Sequence, residues 1–160
     1  MKKKGSIMDL PYIALVIFMT AIVFVAGWMI FSKVNDSLQA KDDFSTVGKS
    51  IMQESSDRYV GLMDGVFLTL LIGFYLGSLI LASQIDASPL FFIVSLVIFG
   101  VLILLTAVFG NAFYTFADNA EISTYASAFV IIPFIMNNFV QTFVVLGFGL
   151  AGVMYAKTRS

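Results

Sequence analysis

Long uninterrupted apolar runs dominate the chain and predict helices that cross a membrane. The first run, Pro11 to Phe31, contains no charged residue over 21 positions. A transmembrane helix needs about 20 apolar residues, whereas a secretory signal has an apolar core of about 7 to 15. We therefore predict a retained first span at about 11–31, which carries Trp28 near its far end.

A hydrophilic stretch, 33–61, follows this run and carries four basic and five acidic residues. Within it Val34 and Leu38, and then Val47 and Ile51, recur at helical spacing. The pattern predicts helix that either lies on the membrane surface or extends the neighbouring spans.

Two further apolar runs predict the second and third spans, at about 62–84 and 89–112. Asp64 interrupts the second run near its start, and Ser88 followed by Pro89 is a strong signal for the start of the third helix. Asp86 in the connection is 22 residues from Asp64, or about 33 Å along a helix. The two carboxylates are therefore predicted at opposite membrane faces, in helix-capping or interfacial positions rather than as a catalytic pair.

The segment from 112 to 138 allows two interpretations. In one, a long fourth span starts near Phe129 and buries Asn137, Asn138 and Gln141 at mid-depth. In the other, an amphipathic interfacial helix at about 119–136 precedes a span at about 139–156. We favour the second, because polar side chains cost less at the interface than in hydrocarbon and 18 residues nearly cross the core.

The composition agrees with a membrane domain. The chain is 59% apolar and 12% charged with a mean hydropathy of +0.96, whereas soluble domains are about 45 to 50% apolar and about 25% charged. We expect one all-α domain over 1–160, a polytopic membrane protein with four transmembrane helices plus a short amphipathic interfacial helix before the last span. No room remains for a soluble catalytic domain.

The charged and reactive residues exclude several functions. The net charge is −1, and the basic residues are scattered, so nucleic-acid binding is not expected. His and Cys are both absent, which removes the commonest metal ligand, the commonest general base and any thiolate chemistry. We predict no catalytic, cofactor or metal site, no small-molecule substrate and no enzymatic activity.

Basic residues near both ends predict the orientation. Lys2, Lys3 and Lys4 precede the first span, and Lys157 and Arg159 follow the last. Four spans bring both ends to one side, so the positive-inside rule predicts that the N- and C-termini are cytoplasmic.

Small residues in two spans predict surfaces for close helix packing. Gly73 and Gly77 form a GxxxG pair in the second span, and Gly147 and Ala151 are small residues at the same spacing in the fourth. The spacing of Gly147, Gly149 and Gly152 also matches a dinucleotide fingerprint, but that motif requires a strand and a soluble βαβ unit. We therefore predict packing with copies of the chain or with other membrane subunits, and interfacial polar positions at Asp64, Asn137 and Asn138.

The C-terminal third resembles small multi-span membrane proteins encoded by archaeal and bacterial viruses. The resemblance rests on 111–122, on Ile135 to Asn138, and on an apolar helix closed by Tyr155, Ala156 and Lys157. It implies a short amphipathic helix before the last span and a role in a virion membrane or its assembly.

These observations favour a non-enzymatic, virus-encoded structural or assembly component of a virion or host membrane. A holin-like pore is an alternative, because holins are also small, multi-span proteins with charged tails. A small transporter subunit is a further alternative, and it requires polar groups at mid-depth.

Overall fold

The computed structural model describes residues 10–84 and 89–158 as a helical bundle. Its helices are α1 (Leu10–Gln39), α2 (Thr46–Gln84), α3 (Pro89–Ala117), α4 (Ser123–Ala126), α5 (Ile131–Asn137) and α6 (Phe139–Thr158). The basic residues Lys2 to Lys4, the connection 85–88 and Arg159 lie outside the described residues.

Within these ranges four helices are long and apolar enough to cross a membrane. They are Leu10–Gln39, Thr46–Gln84, Ile93–Ala117 and Phe139–Ala156. The predicted all-α fold with four membrane-spanning helices is therefore confirmed, and the chain is an integral membrane protein. The last of these helices starts at Phe139, the residue at which the favoured interpretation starts the fourth span.

The hydrophilic stretch 33–61 extends the first two spans. α1 has 30 residues and α2 has 39, which corresponds to about 45 Å and about 58 Å of helix. Because the hydrocarbon core is about 30 Å thick, the end of α1 and the start of α2 project beyond it. We call this projecting part, 32–60, the helical hairpin; its turn contains residues 40–45.

A stripe of small and branched residues joins α1 to the bundle. Leu10, Ala14, Ile17, Ala21 and Val25 recur every three or four positions, and all are buried. Such spacing puts them on one face of the helix, and the alanines allow a neighbouring helix to approach closely. α1 packs along α2 and α3, and α6 packs against α3 and α2.

Aromatic rings close the base of the helical hairpin. Tyr59 stacks on Trp28 and Phe31, with ring centroids 5.5 Å and 5.6 Å apart. The Tyr59 hydroxyl lies over Gly27, where an added Cβ would be only 2.7 Å from its oxygen. The absence of a side chain at Gly27 therefore makes room for this stack.

The segment before α6 differs from its prediction. The helix predicted at about 119–136 is divided into α4 and a separate second helix, α5. It packs between α2 and α3, with Ile132, Ile135 and Met136 buried. Gly110 of α3 permits this approach, because a Cβ there would be 3.2 Å from the Met136 carbonyl oxygen.

Candidate functional site

The side chain of Asp64 connects α2 to the N-terminus of α5. Its Oδ2 accepts hydrogen bonds from the backbone N–H groups of Val130 (2.8 Å) and Ile131 (3.0 Å), and its Oδ1 accepts one from the Ile132 N–H (3.0 Å). Asp64 is only 6% exposed. A buried carboxylate is stabilised when several N–H donors surround it, and the positive end of a helix favours negative charge.

These three bonds complete the hydrogen bonding of the first turn of α5. The first four N–H groups of an α-helix have no acceptor within the helix. In α5 they belong to positions 130–133: three donate to Asp64, and the fourth position is Pro133, which has no N–H. No donor of that turn is left to be satisfied by water, so the turn can be buried.

The same arrangement explains why the predicted interfacial helix is divided. To continue from α4 into α5, the N–H groups of 130–133 would have to donate to carbonyls four residues earlier. Three of these N–H groups already donate to the Asp64 carboxylate, and Pro133 has no N–H to donate. The chain therefore leaves helical geometry between Ala126 and Ile131.

The interfacial position predicted for Asp64 stays a prediction; what the structure adds is that Asp64 is buried and caps another helix. Asp64 and the three residues that donate to it are 66 to 68 positions apart in the chain, so sequence periodicity cannot relate them. One signal was available: α5 starts with apolar residues, and its N-cap residue Val130 has no side-chain cap. A helix without a local cap requires an acceptor from elsewhere, and Asp64 is the charge inside an otherwise apolar run.

Asn137 and Asn138, the other predicted interfacial residues, lie where α5 ends. Asn137 is exposed, whereas Asn138 is half-buried and its Nδ2 donates to the Phe134 carbonyl oxygen at 2.8 Å. Asn138 leaves the helical region at φ −109° and ψ 30°, and α6 starts at the next residue. Gln141, one turn further, is exposed.

A second polar cluster, which the sequence did not indicate, links the two arms of the helical hairpin. Buried Asn35 donates to Gln53 Oε1 (3.4 Å) and accepts from Gln39 Nε2 (3.4 Å). Gln39 and Lys49 exchange bonds with one another's backbone, at 2.8 Å and 2.9 Å. The hairpin is therefore held by polar contacts at its far end and by aromatic ones at its base.

The predicted packing glycines fall into two groups. A side chain at Gly147 would overlap the ring of Phe99, so this glycine allows α6 to approach α3, and Ala151 lies beside the same ring in the lining of a small apolar cavity. At Gly73 and Gly77, among the described residues and apart from the adjoining turns of α2, no atom lies within 4 Å of an added Cβ. That face of α2 is open toward the surroundings of the bundle.

The described side chains show no arrangement of groups that would bind a metal. Across 10–84 and 89–158, no three acidic side chains are close enough to share an ion. No family model matches the chain, and neither a curated protein nor a solved structure does. We therefore infer its function from the residues of this chain alone.

Proposed function

We propose that the chain is a non-enzymatic, virus-encoded membrane protein with a structural or assembly role in a virion membrane or the membrane of its host. The observation that carries this proposal is the use of the buried polar side chains. Asp64 binds the backbone of α5, Asn35 binds residues of the helical hairpin, and Thr106 donates to the Ile103 carbonyl of its own helix. The first two connect separate helices, and the third satisfies a buried hydroxyl within its own helix.

Two surfaces would serve assembly. The helical hairpin extends the protein beyond the hydrocarbon core, where it can meet other proteins. The open GxxxG face of α2, at Gly73 and Gly77, suits close contact with a second transmembrane helix. The viral assignment rests on the resemblance of the C-terminal third, and the cytoplasmic placement of both termini rests on the basic residues near them.

Mass spectrometry of purified virions tests the viral role directly. We expect peptides from the exposed turn of the helical hairpin, which contains Lys41, in virions from which adhering host membrane has been removed. Absence of the chain from virions whose other membrane proteins are detected would contradict a virion role.

Inducible expression in a bacterium separates the structural role from a holin-like pore. We expect growth and membrane potential to continue after induction, measured with a potential-sensitive dye. An abrupt loss of potential at a fixed time after induction, with the protein correctly inserted, would instead favour the pore.

Disulfide crosslinking tests whether copies of the chain associate through α2. The chain contains no Cys, so Ile80→Cys, at a 59% exposed position near the GxxxG face, supplies one reporter. We expect oxidised dimers that become several-fold fewer with Gly77→Leu and stay unchanged with Ala107→Leu, a matched substitution at an exposed position of α3. Equal crosslinking in all three would contradict an interface at this face.

A further inference from the structure

Two kinds of contact hold α5 in the bundle, and lipid can replace only one of them. Ile132, Ile135 and Met136 make apolar contacts, which lipid tails can replace at little cost because hydrocarbon is as apolar as the protein interior. The N–H groups of 130–132 cannot be satisfied by lipid. Within the bundle their acceptor is Asp64, so one side chain carries most of the preference for the buried position.

An alternative acceptor is close by. Asp64 lies six residues beyond Arg58, the last charged residue before it on α2, which is about 9 Å along the helix axis. Arg58 is exposed and pairs with Glu54, as expected for residues in water. The water at this membrane surface can therefore satisfy the same N–H groups after a short displacement of α5.

The segment 118–138 also has irregular backbone at both ends. At its start, the Glu121 N–H donates to Asn119 Oδ1 at 3.0 Å in a turn after α3. At its end, Asn138 leaves the helical region before α6. α5 has one buried and one exposed face. Ile132 is fully buried, whereas the N-cap residue Val130 is 75% exposed and Phe134 is 69% exposed.

From these observations we propose that Asp64 is a latch that selects between two positions of the segment 118–138. In the latched position α5 is buried between α2 and α3, with its first turn bound by the Asp64 carboxylate. In the released position the segment turns about Asn138 and lies at the membrane surface, with its first N–H groups bound by water. The released position is the interfacial arrangement that the amphipathic pattern of this segment predicts.

Thiol labelling in lipid nanodiscs tests the latch, because a water-soluble maleimide then reaches both membrane faces. Ile132→Cys places one thiol at a fully buried position beside Asp64. We expect slow labelling in the otherwise native chain and labelling at least about ten-fold faster after Asp64→Leu, since the loss of one such hydrogen bond can already correspond to that factor. Lys41→Cys, at an exposed position in the turn of the helical hairpin, gives the rate for a water-accessible thiol. Asp57→Leu, which removes an exposed carboxylate of α2, should leave the Ile132→Cys rate unchanged.

Distances between spin labels distinguish release of the segment from general unfolding. Labels at the exposed positions Leu62 and Phe134 report the position of α5 relative to α2, and labels at exposed Lys33 and Asp57 report the helical hairpin. With Asp64→Leu we expect the first distance to lengthen and the second to remain.

The same measurements define the results that overturn the latch. The latch is contradicted if, in the Asp64→Leu protein, the thiol of Ile132→Cys is still labelled slowly and the Leu62–Phe134 distance is unchanged. If Asp64→Leu disturbs both distances, Asp64→Asn decides, because its amide oxygen still accepts while the charge is gone. A partial change confined to the first distance then supports the latch, and no change or a general loss contradicts it.

Discussion

The contact between Gly147 and Phe99 provides a sharp test of how α6 packs against α3. Gly147 is buried, and a methyl group there would overlap the Phe99 ring. Gly152, five residues later on the same helix, has no described residue outside the adjoining turns of α6 within 4 Å of an added Cβ. Gly147→Ala and Gly152→Ala therefore make the same chemical change on one helix in two different surroundings.

The expected difference follows from two effects. Replacing Gly by Ala within a helix gains up to about 1 kcal/mol from backbone propensity, and this gain is shared by both sites. Inserting a methyl group into a packed contact costs about 1–3 kcal/mol. We therefore expect Gly152→Ala to be neutral or stabilising, and Gly147→Ala to have a free energy of unfolding lower than Gly152→Ala by about 1–3 kcal/mol.

Equilibrium unfolding in mixed micelles measures this difference, followed by circular dichroism and by fluorescence of Trp28, the chain's one tryptophan. Phe99→Ala removes the ring that the methyl group would meet. In the Phe99→Ala background, Gly147→Ala should therefore lose most of its penalty, which a double-mutant cycle records as coupling. Equal effects of Gly147→Ala and Gly152→Ala, with no coupling to Phe99, would refute the close contact.

Two predictions concern the helical hairpin. Gly27→Ala should lower the free energy of unfolding by up to about 2 kcal/mol, because the cost of about 1–3 kcal/mol for the methyl group that meets the Tyr59 hydroxyl is partly offset by a helix-propensity gain of up to about 1 kcal/mol. Adding Tyr59→Phe to Gly27→Ala should restore the lost stability, since the next ring atom is 3.9 Å away. Thermal unfolding of the single and double variants checks this, and a failure of the rescue would contradict it. Lys49→Ala should speed amide hydrogen exchange at the tip of the hairpin several-fold, because it removes the hydrogen bond to the Gln39 carbonyl oxygen. Lys41→Ala, in the turn, should leave the exchange rate unchanged. Equal exchange rates in the two variants would contradict a role for that bond.

The latch and the glycine contact share one physical basis. In a bilayer, apolar surface gains little by leaving lipid, so specific hydrogen bonds and close steric fit distinguish one helix arrangement from another. Asp64 provides the hydrogen bonds for α5, and Gly147 provides the fit for α6. Both residues should therefore affect arrangement more strongly than insertion into the membrane.

Local patterns in the sequence were sufficient to predict the four membrane-spanning helices, but not the division of the segment 119–136 into α4 and α5. The run from Pro11 to Phe31 is apolar over the thickness of a membrane, and that property depends only on neighbouring residues. The start of the last membrane-spanning helix at Phe139 also followed from a local preference, because Asn137 and Asn138 are costly in hydrocarbon. The continuation of α1 and α2 into the hydrophilic stretch was one of two open interpretations. The hydrogen bonds of Asn35 and Lys49 stabilise this arrangement by linking the two helices.

The partners of the polar groups could not be read from the sequence, because they lie far apart in the chain. A pattern that locates Asp64 near the start of a span does not identify Val130, 66 residues away, as a donor to it. Likewise, the pairs of small residues in α2 and α6 have the same spacing, so the sequence could not distinguish their surroundings. In the packed bundle Phe99 lies over Gly147, whereas Gly77 is open. The sequence by itself determined which segments are apolar membrane-spanning helices, since that property is local. The tertiary structure alone decided where α4 ends and α5 begins, which helix the Asp64 carboxylate caps and which side chain each packing glycine meets.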